Sequence, residues 1–232
     1  MSHYTVGVII PKEFKEEELR GAVEGALEPF DENLEVEEYV AYTKEEIECD
    51  YEQYAKRMIE NKEEPVSYQE FAEDYTSRGL DDEGNALSIY NPDSKWDWYV
   101  IGGRWNNEIE TKSGKKVNYA RIKDIKFEVE LTEEELAQAK EHYSKLISEG
   151  DYFKPEYYQR RYPKVEAYID SFNFSTYALL DAEGEWHEPG TMGWFGMSSA
   201  GPEEQTKFQS EYMQLIQEQD PEDWFVLVDC HI

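Results

Sequence analysis

The chain has 232 residues, 53 of them acidic and 23 basic, for a net charge of −30. A field that negative repels phosphate backbones and anionic membrane surfaces, so direct binding to nucleic acid or lipid is not expected, whereas basic partners are favoured. An aromatic fraction of 15% speaks against disorder, and no apolar stretch approaches the roughly 20 residues of a membrane span.

Read in chain order, "YTVGVIIP" (4–11) is β-branched, apolar and closed by Pro11, which predicts a buried strand. "KEEELRGAVEGALEPF" follows with Leu19, Val23, Ala26 and Leu27 at helical spacing, and "LEVEEYVAY" (34–42) reads as a second strand. Thr43 with Glu46, Ser67 with Glu70, and Thr132 with Glu135 are capping boxes, each pairing a hydroxyl acceptor with a carboxylate three residues on. They predict three helices: one carrying Ile47, Tyr51, Tyr54 and Met58 on a face, a short one with Phe71 and Tyr75, and one with Leu136, Ala139, Tyr143 and Leu146 that ends before Gly150. "VNYARIKDIKFEVEL" (117–131) has strand character throughout, and "STYALLDAEGEWHEPG" reads as two short strands around a turn at Glu183-Gly184. Pro202 opens a helix with Phe208, Tyr212, Leu215 and Ile216 on one face. The run Phe225 to Val228 predicts a buried C-terminal strand, inserted in a sheet rather than frayed. The expected fold is a single α+β domain over 1–232, a mixed and mainly antiparallel sheet flanked by helices. It has a strand-helix-strand opening, an acidic helical part at roughly 13–78, and an aromatic and glycine-rich core over 91–232.

The charge is uneven. Residues 1–90 carry 25 acids and 8 bases and residues 128–232 carry 23 and 7, whereas 91–127 carry 5 and 8, a local net of +3. That island contains "SKWDWYVIGGRW" (94–105), which holds three of the six tryptophans. Gly102 and Gly103 permit close backbone approach, Arg104 offers a planar fork for phosphate or carboxylate, and Trp96, Trp98 and Trp105 offer ring faces. Strand alternation would put Trp96 and Trp98 on one side, with Asp97 and Tyr99 on the other. A purely structural alternative is a strand and turn with core aromatics, in which Arg104 pairs with Asp97.

Two further stretches carry chemistry. "EWHEPGTMGWFGMSS" (185–199) places His187 next to Glu188 in a loop too apolar for ordinary solvent exposure, either as a histidine bonded to backbone or as an acid–base group. "DCHI" ends the chain. Cys230 and His231 point to opposite faces of a strand and so do not make a nucleophile–base pair, but Asp229 and His231 share a face. Were His187 to approach them, two imidazoles and a carboxylate could hold a metal; no residue pattern brings it there, and no metal site is expected. His3 and His142 stand out in no motif. Cys49 and Cys230 are widely separated and belong to no CxxC, and no apolar leader follows a basic start, which predicts a reduced, cytoplasmic protein.

Together "NPDSKWDWYVIGGRWN", "GEWHEPGTMGWFG" and the terminal "VDCHI" resemble a group of largely uncharacterised proteins of bacteriophages, prophages and some bacteria. The resemblance implies a phage or mobile-element setting, hence a host-cell cytoplasm, and a site built from the three blocks. It does not extend over residues 1–90. Joined to the charge, it leads to one expectation: a protein that binds and inhibits a host nucleic-acid-handling or defence protein, its acidic helices imitating a phosphate backbone. The alternative is a binder or hydrolase of a small anionic ligand such as a nucleotide. Its pocket would be formed by Trp96, Asp97, Trp98, Gly102, Gly103, Arg104 and Trp105 and closed by the His187 loop, with His187, Asp229 and His231 as the acid–base candidates. Whether the protein is an enzyme, which cofactor it takes and how it oligomerises stay open at this level.

Overall fold

The computed structural model describes residues 2–193 and 196–232; Trp194 and Phe195 of the second aromatic block lie outside the described residues. In chain order the elements are β1 (His3–Ile10), α1 (Leu19–Leu27), β2 (Glu35–Tyr42), α2 (Lys44–Glu60), α3 (Tyr68–Glu73), β3 (Ala86–Tyr90), β4 (Trp98–Ile101) and the two-residue strands β5 (Ile109–Glu110) and β6 (Lys116–Val117). There follow β7 (Tyr119–Arg121), α4 (Glu133–Glu149), α5 (Pro155–Arg161), α6 (Val165–Asp170), β8 (Ala178–Leu180), β9 (Trp186–His187), α7 (Pro202–Glu218) and β10 (Trp224–His231). The fold is α+β, and the chain packs as two compact units, residues 1–29 with 95–232 and residues 30–94.

The first unit is built on a six-stranded mixed sheet in the order β4-β10-β1-β8-β9, with β7 also paired to β10. The terminal strand is inserted, as its apolar run requires. Its far half pairs with β4, its near half with β7, and its other side with β1 from His3↔His231 to Ile10↔Trp224. Only β1 and β8 run parallel. Register sorts the side chains into two faces. Tyr4, Val6, Val8 and Ile10 share one face with Val226, Val228 and Cys230, and α1, with Leu19, Val23 and Leu27 buried, packs against β1. The other face carries Ile9, Phe225, Leu227 and Leu179, which form a core with Ile109, Ile122, Ile125 and Phe127 and with Tyr212 and Ile216 of α7.

One expectation needed correction. Strand character was expected throughout 117–131, but the chain leaves the sheet at Ile122. There the amides of Ile122 and Lys123 bond the carbonyls of Asp223 and Pro221, so Ile122, Ile125 and Phe127 can fold over the core instead of alternating across it. The strand-helix-strand opening is present as expected, in β1, α1 and the largely exposed β2. Its glutamates at 35, 37 and 38 leave it too polar for a buried sheet position, and it pairs with β3 in the second unit.

That second unit combines the β2–β3 pair with α2 and α3, around Ile47, Ala72 and Ala86 and the rings of Tyr68, Phe71 and Tyr75. The capping boxes of Thr43–Glu46 and Thr132–Glu135 form with both reciprocal hydrogen bonds, and Ser67 Oγ accepts from the Glu70 amide at 3.3 Å.

Candidate functional site

On the face that carries the core, the sheet changes character at one end. Beyond Ile9 and Gly7, β1 presents Thr5 and His3; beyond Leu227, β10 presents Asp229 and His231; β4 adds Trp98 and Val100 beside them. The register therefore sets His3, His231 and Trp98 in one row and Thr5, Asp229 and Val100 in the next.

Both imidazoles are held through Nδ1. His3 Nδ1 lies 2.8 Å from Asp229 Oδ1, and His231 Nδ1 lies 2.6 Å from Asp97 Oδ1. A carboxylate can only accept, so Nδ1 is the donor in both rings and Nε2 is the ring nitrogen that no carboxylate engages. The ring centroids are 5.0 Å apart, edge to face. Asp229 is fixed a second time, by the Arg104 amide donating to Oδ2 at 2.9 Å. That approach explains the second glycine. Gly103 has φ +52°, and a Cβ there would sit 2.8 Å from Asp229 Cγ and nearer still to its Oδ2. Gly102, at φ +75°, brings its own amide to Leu227 O and would strike Asn118 if it bore a Cβ.

Trp98 lies flat on His231, with centroids 5.0 Å apart and planes 16° from parallel, and its edge meets His3. The indole is 43% exposed, and its N–H has no partner among the described residues. Beneath it His231 is 3% exposed, and its Nε2 is buried without a hydrogen-bond partner. The Arg104 side chain is exposed and forms no hydrogen bond or ion pair among the described residues; Asp97, its alternative partner from sequence, is bound to His231. The centre thus combines two carboxylate-oriented imidazoles with a partly exposed indole, and the backbone of Arg104, whose side chain is exposed, borders it.

The remaining residues of the expected pocket are placed elsewhere. Trp96 belongs to the core on the other face: it is 7% exposed, donates to the Leu27 carbonyl at 3.1 Å and meets Tyr99 edge-on. A bend at Asp97, just before β4 begins, reverses the expected pairing, so that Asp97 goes with Trp98 and Trp96 with Tyr99. Trp105 packs against the main core, and Gly102 is a turn residue. His187 sits on β9, the opposite edge of the sheet from β4, with Nε2 2.7 Å from Asp181. It closes no pocket over residues 94–105 and does not meet His231 or Asp229. Its block does reach the first one, through the Glu188–Lys95 ion pair at 2.9 Å, and it meets the start of the chain, where Ser2 Oγ donates to the Gly193 carbonyl and accepts from the Gly196 amide. These contacts lie on the side of Tyr4, whose hydroxyl donates to the Lys95 carbonyl. Cys230 points to that side too, fully buried; burial, with Asp229 beside it, pushes its thiol well above the ordinary range and keeps it protonated.

His3 was missed from sequence. The signal was present in the alternation: His3, Thr5 and Gly7 form a polar or small half-face against Tyr4, Val6 and Val8, and Asp229 and His231 do the same against Val228 and Cys230. Pairing the first strand with the last would have joined them.

No protein-family model matches this chain, and no curated protein or solved structure is significantly similar to it. Among the described residues, no group of three or more histidine, cysteine or acidic side chains is placed to hold a metal ion, and no helix is long and apolar enough to cross a membrane. A groove of about 830 Å³ lies elsewhere, over Ile122, Ile125, Phe127, Met213 and Ile216. Its three lysines are committed, Lys112 to the Lys123 carbonyl, Lys123 to Glu222 and Lys126 to Glu110, and no histidine or cysteine lines it. The His–Asp centre, by contrast, holds two imidazoles oriented by carboxylates, and oriented proton carriers rather than volume make chemistry possible.

Proposed function

We propose that this protein is an acid–base catalyst for a small anionic substrate, working at the His3–Asp229 and His231–Asp97 pairs with Arg104 as the anion anchor. The observation that carries this reading is His231, an imidazole nearly closed from solvent, oriented by a carboxylate, with Nε2 left without a partner. An orphaned buried polar atom costs about 1–3 kcal/mol. A side chain serving only to tie Asp97 down would not need to bear that cost. The carboxylate at Nδ1 sets tautomer and ring orientation, which general base catalysis requires. The test is thermal stabilisation of the wild-type protein by a panel of nucleotides, sugar phosphates and small carboxylates. At 100-fold excess over Kd a ligand adds about 2.7 kcal/mol, a shift of several degrees. Stabilisation by at least one anion, lost in Arg104→Ala, supports the reading. Equal responses of both proteins to every member would overturn it.

A second reading is favoured by the charge of residues 30–94, which hold 20 acidic and 5 basic residues, a net of −15. Half of the whole chain's charge falls on this unit, and Ile47 is the one buried side chain of α2, whose Glu45, Glu48 and Glu52 are exposed. In the phage setting suggested by the sequence blocks, this unit would dock on a basic, nucleic-acid-handling host protein in place of a phosphate backbone. Such binding would weaken steeply with salt, survive Arg104→Ala and fail when the three glutamates become lysines. Binding indifferent to salt and to those reversals would refute it.

A further inference from the structure

We infer that the protein has a second ligand site, a cavity of about 440 Å³ at Arg161 that takes a small carboxylate bearing an apolar or aromatic group. This site goes beyond the acid–base reading and does not depend on it. Arg161 closes α5, and the cavity lies where the end of that helix and α7 meet residues 171–177, the segment leading into β8. Its size falls within the range of about 300–1,000 Å³ usual for small-molecule sites. Charge sets it apart. Acidic residues number 53 of 232, yet none of the thirteen described residues lining this cavity is acidic. The groove over Ile122, the one beside His187 and the one along α1 each carry two or more carboxylates. In the Arg161 cavity that arginine is the one charged residue among the described lining.

Its neighbour shows the ordinary arrangement. Arg160 forms a two-pronged pair with Glu203 of α7, at 2.5 and 2.8 Å. Arg161 turns to the same helix but meets neutral acceptors: Nη1 donates to Thr206 Oγ1 at 2.8 Å and Nη2 to Gln209 Oε1 at 3.2 Å. The Gln209 amide is itself fixed, because its nitrogen donates to the Asp170 carbonyl and so leaves the oxygen for the guanidinium. The guanidinium also lies over the Tyr162 ring, 5.0 Å from its centroid. Tyr162 and Gln209 line the cavity together with Arg161, so the fork is held at the cavity wall. These contacts orient the cation without neutralising it. Two of a guanidinium's five N–H groups are spent on the two acceptors, and Arg161 forms no ion pair among the described residues. A half-buried permanent cation without a counter-ion is completed by an anion, and the planar fork matches a carboxylate. Burial raises the Tyr177 phenol above its ordinary value and keeps it neutral, and no lysine or histidine adds charge to the described lining. One fixed positive charge selects a monoanion over a phosphate dianion. Pro189, Met192 and Phe208 complete the wall with surface suited to an apolar body.

The test titrates the full chain with phenylacetate, its neutral analogue phenylacetamide, and phenyl phosphate. The Arg161 Nε–H resonance, assigned by its loss in Arg161→Lys, reports binding at this cavity and not at the His–Asp centre. Expected are a saturable shift with phenylacetate, binding of the amide weaker by about 10- to 100-fold, and a similar loss of phenylacetate affinity in Arg161→Lys. Ser175 lines the cavity, is exposed and makes no side-chain hydrogen bond among the described residues, so Ser175→Asp folds even if Arg161→Lys does not. The carboxylate it adds should weaken phenylacetate severalfold by repulsion. Equal affinity for acid and amide, or an affinity for the acid indifferent to Ser175→Asp, would overturn the inference. So would an Arg161 resonance that phenylacetate leaves unmoved, or one that phenyl phosphate alone shifts.

Discussion

Replacing Gly103 by alanine perturbs the centre at the point where backbone and carboxylate meet. The residue sits at φ +52°, where a side chain costs about 1–2 kcal/mol. Alanine recovers about 0.4–1 kcal/mol by stiffening the unfolded chain. The larger effect is steric. The new Cβ would lie 2.8 Å from Asp229 Cγ, so the carboxylate must move off the Arg104 amide, forfeiting a hydrogen bond to a charged acceptor worth about 1.5–3 kcal/mol. The net expectation is a loss of about 3 kcal/mol. Gly21→Ala is the internal control. It lies within α1 with nothing inside 4 Å of an added Cβ, and should gain about 0.5–1 kcal/mol from helix propensity. Urea unfolding followed by tryptophan fluorescence, with unchanged slope in denaturant, measures both. A Gly103→Ala protein within about 0.5 kcal/mol of wild type would refute the reasoning, since it would mean that Asp229 is not pinned where the turn approaches it.

Three other outcomes are expected. Thr176 Oγ1 accepts from the Gly7 amide, donates to the Ala178 carbonyl and bonds the fully buried Tyr212 hydroxyl at 2.7 Å. Tyr212→Phe should therefore cost about 1 kcal/mol, and Thr176→Val, which orphans two buried donors, about 2–4 kcal/mol; equal losses in urea unfolding would contradict that asymmetry. A thiol reagent should modify one cysteine rapidly, the exposed Cys49, and Cys230 only on unfolding; two fast thiols would show Cys230 to be accessible. Glu135 is held below the ordinary carboxylate range by the Thr132 amide and hydroxyl, so its contribution is present above that range and lost as pH falls through the lowered value. Glu135→Gln should be the less stable protein at neutral pH, with the two urea midpoints converging on acidification; a gap independent of pH would exclude the capping carboxylate as its source.

What was legible in the sequence was local. A capping box needs only four residues, and Thr43 and Thr132 open their helices as read. Likewise the apolar run of β10 and the face of α7 announce burial by composition and spacing. Asp97, Trp98, Gly103, Arg104, Asp229 and His231 do gather in one place, because the block at 94–105 and the chain's last strand are sheet neighbours. What failed depended on contacts invisible along the chain. Trp96 and Trp98 look equivalent until a bend at Asp97 sends them to opposite faces, and His187 looks like a lid until β8 carries it to the far edge. His3 had no local motif at all; its partner is 226 residues away.

That separation has a kinetic meaning. Bringing chain segments together across such a gap costs entropy growing as about 1.5RT ln n, close to 5 kcal/mol here, and no short-range hairpin lowers it by pairing β1 with β10 early. The two imidazoles therefore become neighbours only when the central sheet closes. Any half-formed intermediate holds them as strangers, so the chemistry of this centre would report completed folding as sharply as any spectroscopic probe.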